Sequence, residues 1–411
     1  MLIILNEWCG IMNKNIKIIT YQNFPYGGAP ANFVRYFSLA LEKVGNNVEV
    51  IVPTGLSYRN ERKSKISRSG RINSIKYNFI GFINNPDSFF FKVLSSLIAF
   101  FYTPLYLLCS FIKLKYEILI CYNVHFSRTF FLYSVSKILK VKFILIIPEF
   151  YEKPKNKIQL IKWFDFYIGL KFLTKYADAH IPLSHYMRDY LENKLKIRKP
   201  IYILPNIMNP DDFSIQTKKP FIEGKHTIGY CGTPTRKDGV LDLIKCFSIL
   251  HYKYPNTHLL IIGDQINNYS LIPSLIEYTK DLKIEENITF TGLVSFEKIP
   301  MLLNSCQILT LTRPSGIFAQ AGFPTKLGEY FACKIPVLVT KVGDIPYYFE
   351  NKKHVVLAEP ENIDSMLEGF EILLSNHFDS HSMVEEAFNW MQENLNYKNI
   401  SIKLSEFVTN I

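Results

Sequence analysis

Short apolar runs recur along this chain, each followed by a turn and then by residues with helical periodicity. The first instance is Ile16 to Thr20, the turn Tyr26-Gly-Gly-Ala-Pro30, and a helical pattern through Phe33, Tyr36, Phe37, Leu39 and Leu41 to about Val44. The strand Val48-Glu-Val-Ile-Val52 comes next, and Pro30 suits the first helical position. A strand–turn–helix–strand order of this kind leaves few topologies: a parallel sheet with right-handed crossovers. Further strands are expected at 117–122, 142–148, 179–182 and 201–204, with helical patterns at 127–139, 157–176 and 185–195 between them. Ile215 to Lys225 is mostly polar and reads as a linker.

A second alternating set starts at Thr227-Ile-Gly-Tyr-Cys231. It continues with a helix over 238–252, the strand His258 to Ile262, a helix over 271–283 and the strand Asn287 to Thr291. A short helix near 296–304 and the strand Gln307 to Leu311 follow, and residues 364–376 and 382–409 read as helical. The expected organisation is a first α/β domain over 1–214, with 1–11 as an extension ahead of Met12, and a linker over 215–225. A second α/β domain over 226–392 and a C-terminal helix over 393–411 that crosses back to the first complete it. The length of 411 residues agrees with two cores rather than one.

The residues that point to a ligand lie where these strands end. Gly322-Phe-Pro324 opens a turn, and the helix after it carries Leu327, Tyr330 and Phe331 on one face and Glu329 on another. Pro336 and the apolar run Val337 to Val339 then read as a helix stop and a buried strand. A helix N-terminus delivered beside a strand end offers free N–H groups and a favourable dipole to an anion. Glu329, less than two turns in, suits a neutral polyol such as a ribose. Three more loops fall at equivalent places: Gly232-Thr-Pro-Thr-Arg236-Lys237-Asp-Gly239, Gly263-Asp264-Gln265, and Thr291-Gly292. Arg236 and Lys237 are placed to neutralise a diphosphate, and Gly232 permits close approach. In the first domain Gly27 and Gly28 have the same property, either for a ligand or for an ordinary turn.

Composition narrows the partners. A formal charge of +11 asks for an anion, whether nucleotide phosphates, an acidic lipid surface or nucleic acid, and no RNA- or DNA-binding signature is present. Hydrophobic content of 48% and aromatic content of 15% exclude a disordered chain. The seven cysteines (9, 109, 121, 231, 246, 306, 333) are scattered with no CxxC, and the start lacks a basic n-region, so a cytosolic chain without a signal peptide is expected. Residues 57–80 are basic (Arg59, Arg62, Lys63, Lys65, Arg68, Arg71, Lys76) and read as irregular, either a solvated loop or a surface for anionic lipid. Val93 to Ile112 is uncharged and long enough to span a bilayer. It also lies where the first domain needs a crossover helix, which favours a buried or monotopic helix over a span.

Taken together the sequence resembles the retaining GT-B glycosyltransferases of family 4 type, over nearly the whole chain. The matching pieces are Gly27-Gly28, Tyr176-Ala-Asp-Ala-His-Ile-Pro-Leu-Ser184, Leu204-Pro-Asn206, Lys237-Asp-Gly239, Ile262-Gly-Asp264, Phe290-Thr-Gly292, and Phe323-Pro-Thr325-Lys326-Leu-Gly-Glu329-Tyr330 with Lys334-Ile-Pro-Val337. The most specific is the Pro-(Ser/Thr)-Lys-x-x-Glu-Tyr block. The resemblance implies a GT-B fold, two doubly wound Rossmann-like domains facing across a cleft, with a nucleotide-sugar donor on the second and the acceptor mainly on the first. It implies that Lys237 pairs with the donor diphosphate and that Glu329 binds the ribose. Backbone groups of Gly322, Phe323 and Pro324, with Thr325 and Lys326, would face the sugar and phosphates, and Gly27 and Gly28 would close on the diphosphate.

Two positions depart from the family pattern: Ala321 stands where many relatives carry a first glutamate, and Thr233 where an arginine is common. A residue near the anomeric carbon is expected from a first-domain strand end, either Glu149 or His125. No Asp-x-Asp motif occurs, so metal independence and no cofactor beyond the donor are expected. The expected activity is transfer from a UDP- or GDP-sugar, with retention, to a saccharide or lipid-linked acceptor in surface polysaccharide synthesis. The expected location is the inner face of the cytoplasmic membrane. An inactive sugar-binding subunit and an epimerase or phosphorylase on the same fold are the alternatives.

Overall fold

Strands β1 (Asn15–Ile19), β2 (Asn47–Val52), β3 (Ser69–Ile72), β4 (Ile75–Phe79), β5 (Ile118–Tyr122), β6 (Lys142–Ile147) and β7 (Ala179–Pro182) form one sheet in the order β3-β4-β2-β1-β5-β6-β7. The coordinates are a computed structural model that describes residues 13–25, 27–54, 67–81, 89–154, 156–215, 218–265, 270–375 and 377–411. The proposed extension 1–11 and the basic residues Arg59, Arg62, Lys63 and Lys65 lie outside them. Every pairing is parallel except β3 with β4. All of β5 is buried, as a strand covered on both faces must be. The helices of eight residues or more among residues 13–208 are α1 (Ala29–Lys43), α2 (Phe89–Lys113), α3 (Phe126–Ile138) and α4 (Lys157–Tyr176).

The second sheet has β8 (His226–Cys231), β9 (Thr257–Ile262), β10 (Ile288–Phe290), β11 (Ile308–Leu311), β12 (Val337–Thr340) and β13 (Val356–Ala358), all parallel, in the order β10-β9-β8-β11-β12-β13. Its helices of eight residues or more are α5 (Val240–Lys253), α6 (Ile272–Asp281), α7 (Thr325–Ala332), α8 (Ile363–Leu374) and α9 (Ser380–Asn394). The final helix, α10 (Tyr397–Thr409), belongs to the first unit. It packs on α1, where Tyr36 and Tyr397 stack and Asn46 donates to the Ser405 hydroxyl at 2.9 Å. The units are 1–208 with 397–411, and 209–396.

Several expectations need correction. Residues 69–79 are a hairpin, not irregular chain: Ile75, Tyr77 and Phe79 are buried in alternation with Lys76 and Asn78. Arg71 and Lys76 sit on its two strands. Residues 201–204 make a single bridge, Ile201 to His180, rather than a strand. The segment read as a linker is part of the second unit, because Phe221 N–H donates to Ser305 and the Lys218 ammonium caps the carbonyls of Cys333 and Lys334. The helical segment 382–409 is two helices broken at Leu395-Asn396, where the chain passes between units.

Helix α2 is built inside out. Ser95, Ala99, Thr103 and Leu107 face the protein and are fully buried. On the opposite face Val93, Leu97, Phe101 and Leu105 are exposed, Phe101 by 63% and Leu105 by 54%. Four-residue spacing puts Ser95, Ala99 and Thr103 inside with Leu107, and large apolar residues outside, the reverse of a helix that faces water. The helix is nonetheless fastened to the sheet, since the Tyr106 hydroxyl donates to Glu49 at 2.9 Å and accepts from Asn78 at 2.8 Å. Glu49 also pairs with the buried Lys17.

Candidate active site

The order of the second sheet reverses direction between β8 and β11, and open α/β sheets bind ligands outside the strand ends at such a point. The loops there are in contact. Gly263, at φ +110°, lies so close to the Gly232 carbonyl that a Cβ would sit 2.6 Å from it. Gly239, at φ +68°, leaves only 1.8 Å between a would-be Cβ and the Thr312 carbonyl after β11. No side chain fits at either place, so the sequence must spell glycine. Thr291 links the next strand end by accepting the Gly263 N–H at 3.1 Å and donating to the Gly292 carbonyl at 3.0 Å.

α7 is locked against this floor. The Tyr330 hydroxyl accepts the backbone N–H of Cys231, the last residue of β8, at 2.8 Å. One turn earlier, Lys326 and Glu329 form an ion pair at 2.9 Å beside Cys231, with Glu329 buried. Burial opposes the charge on Lys326, but Cys231 and Glu329 outweigh it and hold the ammonium above the usual lysine range. Burial pushes the Cys231 thiol up, so it is neutral, and the anion that sustains Lys326 is Glu329. A cation, a carboxylate and the first turn of a helix thus meet the end of β8.

The structure separates the other sequence candidates by what they touch. Lys237 is exposed, with its ammonium 5.3 Å from the Phe318 ring centroid. The side chain of Arg236 is outside the described residues. Asp264 accepts the N–H of Gln265 at 2.7 Å and so caps its own turn. Phe323 stacks on Trp390 and meets Tyr348 edge-on, which leaves only backbone from Gly322, Phe323 and Pro324 to offer a ligand. Ala321 is fully buried and Gln320 exposed.

In the first unit, Gly28 precedes α1, and a Cβ there would meet nothing within 4 Å. Its neighbour Gly27 is half-buried. Glu149 and His125, posed as alternatives, fall in one cluster. Tyr151 donates to Glu149, and its ring lies 6.0 Å from that of His125. His125 is 3.3 Å from Asp165, which also accepts from the Ser127 N–H at 2.7 Å and hydroxyl at 2.9 Å. Burial alone would raise the Asp165 pKa, but its hydrogen bonds with His125 and Ser127 bring it below the ordinary carboxylate value. The turn that presents His125 is forced: Asn123 has φ +85°, and a Cβ on Gly169 of α4 would stand 1.7 Å from the Val124 carbonyl.

Comparison with known proteins decides what such a floor belongs to. Residues 211–390 match the family model described as glycosyl transferases group 1. The second unit is a group 1 glycosyltransferase domain. The chain as a whole shares the GT-B fold. Sucrose-phosphate synthase from Thermosynechococcus elongatus superposes with a TM-score of 0.74 at 13% identity, over 96% of this chain and 98% of that one. HepE of Anabaena, in complex with UDP-glucose, gives 0.70 at 12% over 97% and 100%. WaaG, a glycosyltransferase involved in lipopolysaccharide biosynthesis, gives 0.67 at 12% over 96% and 100%. An uncharacterized glycosyltransferase of Haemophilus influenzae is 25% identical over 213 residues, 51% of this chain and 55% of that one. The chain thus aligns with about half the length of that curated relative.

In this glycosyltransferase domain the sequence reading overlooked Tyr330 as the lock on β8, and the Cys231 contact. Tyr330 lies within the Pro-(Ser/Thr)-Lys-x-x-Glu-Tyr block, where helical spacing marks an apolar position and gives no sign of a partner for its hydroxyl. In the first unit it overlooked Asp165, the lone acid in the aromatic run Trp163-Phe-Asp-Phe-Tyr167, which is the signal that marks it.

Proposed function

We propose that the protein is a glycosyltransferase that moves a sugar from a UDP- or GDP-sugar to a saccharide or lipid-linked acceptor, with retention of configuration. The observation that carries this reading is the Lys326–Glu329 pair on the first turns of α7, held by Tyr330 against the Gly232 and Gly263 turns. A departing diphosphate needs cations and N–H groups, and a ribose needs a fixed carboxylate. In the reaction the anomeric C–O bond to the diphosphate breaks, and the acceptor hydroxyl attacks from the same face within one ion pair. Its proton passes to the departing phosphate oxygen. Lys237 and Lys326 supply positive charge for the leaving group, so activity in excess EDTA is expected to match that without it.

The outward apolar face of α2 supports attachment to the inner face of a membrane, as a monotopic helix rather than a span, because Tyr106 ties the helix to β2 and β4. The WaaG likeness supports a place in surface polysaccharide synthesis, and the HepE complex puts UDP-glucose first among donors to try. The test is a panel of UDP- and GDP-sugars with membrane extract as acceptor, read by nucleotide release and product mass. Acceptor-dependent release from one donor is expected. Silence across the panel overturns the proposal.

A further inference from the structure

We propose that a pocket between the N-terminal half of α2 and the first turn of α3 binds a single-chain lipid phosphate, with its anionic head on Arg128 and its chain on the outer face of α2. This rests on the transfer reading above and names its acceptor class. The cavity has a volume of about 480 Å³, within the range of small-molecule sites. Its polar side is made by Tyr21 after β1, Thr54 after β2, and Ser127 and Arg128 of α3. Its other side is Val93, Leu97, Phe100 and Phe101 of α2.

The two sides ask for different things. The Arg128 guanidinium lies over the Tyr21 ring, 4.9 Å from its centroid, and the Tyr21 hydroxyl donates to the Arg128 carbonyl at 3.2 Å. These contacts hold the arginine without neutralising it. Among the described residues no carboxylate forms an ion pair with it, and the nearby Asp165 is engaged by His125 and Ser127. The backbone N–H groups of Ser127, Arg128 and Thr129 are already bonded to Asp165 or to the His125 carbonyl. The Ser127 and Tyr21 hydroxyl protons are likewise spent, on Asp165 and on the Arg128 carbonyl, so the anion-binding groups are the Arg128 guanidinium fork and the Thr54 hydroxyl, a cationic fork that suits a phosphate monoester.

The apolar side does not end at the pocket. From Leu97 through Phe101 and Leu105 to Ile112 the same face of α2 continues exposed, about 22 Å at 1.5 Å per residue. One helix face makes one track, which fits one chain rather than two. A ligand with an anionic head and a single long apolar tail satisfies both sides at once. A free sugar leaves the track bare, and a hydrocarbon alone leaves Arg128 unpaired.

The test is calorimetric titration of the full chain with farnesyl phosphate, alongside farnesol, inorganic phosphate and dioctanoyl phosphatidic acid. Saturable binding of farnesyl phosphate is expected, with the other three at least about tenfold weaker, a difference near 1.4 kcal/mol. Arg128→Gln should weaken it by a similar factor. Ser96→Trp, which fills the cavity from an exposed position, should abolish it. Both variants should keep the far-UV circular dichroism and thermal unfolding profile of the wild type, which shows them folded. The proposal is overturned if farnesyl phosphate fails to saturate, or if either variant binds it unchanged. Equal binding of farnesol leaves a mere apolar cleft, equal binding of phosphate a mere anion site, and equal binding of the two-chain lipid no single track; each also overturns it. Donor turnover measured on the same preparations separates the two readings. Turnover without farnesyl phosphate binding removes only the pocket, and binding without turnover from any donor removes only the transfer reaction.

Discussion

The Lys326 ammonium lies 2.9 Å from the Glu329 carboxylate, both on α7 and both beside Cys231 at the end of β8. The pair sets an ammonium against a largely buried carboxylate at the end of β8. Each then has an orientation fixed by the other, and a ligand that meets them need not reorganise them.

Glu329→Gln tests this directly. The amide keeps the shape but leaves Lys326 without its anion and a ribose hydroxyl without a charged acceptor. Loss of one charged hydrogen bond is worth about 1.5–3 kcal/mol, so kcat/KM for the donor should fall roughly 10- to 100-fold. Nucleotide release at varied donor concentration measures it. A wild-type value would remove Glu329 from the site.

Gly169→Ala addresses the first unit. Its Cβ would stand 1.7 Å from the Val124 carbonyl and 2.7 Å from the Phe126 nitrogen, and backbone cannot swing aside as a side chain can. Either α4 or the His125 turn must shift. The expected cost is about 1–3 kcal/mol of stability or more, with loss of transfer well beyond what reduced folding explains. Denaturant titration and turnover at a temperature where the variant is folded separate the two effects.

The two sheets were readable from periodicity because buried parallel strands such as Ile118–Tyr122 are continuous apolar runs between turn signals. The β3–β4 hairpin escaped because its charged and polar residues, Arg71, Lys76 and Asn78, dominate the local composition, although Ile75, Tyr77 and Phe79 alternate with a period of two. The donor-side glycines were visible as glycines, but not that Gly263 rests on the Gly232 carbonyl or Gly239 on Thr312, since those contacts join separate strand ends. The inverted face of α2 shows the same limit. Composition marked the segment as apolar, while the direction of each residue depended on the sheet behind it. His125 follows β5, Glu149 and Tyr151 follow β6, and Asp165 lies on α4, so no local pattern joins them.

His180 on β7 gives the chain an acid sensitivity. Its Nε2 is 2.8 Å from the Thr174 carbonyl, and its Nδ1 is buried with no partner. Burial pushes its pKa down from 6.5 to about 4. The folded value lies below the unfolded one, so protonation favours the unfolded chain. The stabilisation is complete above pH 6.5 and is lost as pH falls toward 4, by up to about 3 kcal/mol. Thermal unfolding from pH 8 to pH 4 should show the loss, and His180→Gln, which cannot titrate, should flatten that part of the profile relative to wild type. Parallel profiles for the two proteins would show that His180 is not the group responsible.

Membrane attachment through α2 makes a prediction with two independent handles. Phe101 and Leu105 project from the face opposite Thr103, while Tyr106 anchors the helix to Glu49 and Asn78, so the outer residues contribute little to folding. Burying one such side chain is worth about 1.5–3 kcal/mol, so Phe101→Asp with Leu105→Asp should lower flotation with anionic vesicles by well over tenfold and leave thermal stability near wild type. Salt acts on the other handle. Raising ionic strength screens the attraction between a +11 chain and acidic lipid but not the burial of apolar surface, so the wild type should bind more weakly at high salt without being released entirely. Complete release by salt would assign the attachment to charge alone. Failure of the wild type to float at low salt, or flotation of the double variant at the wild-type level, would leave the outward face of α2 without a lipid role.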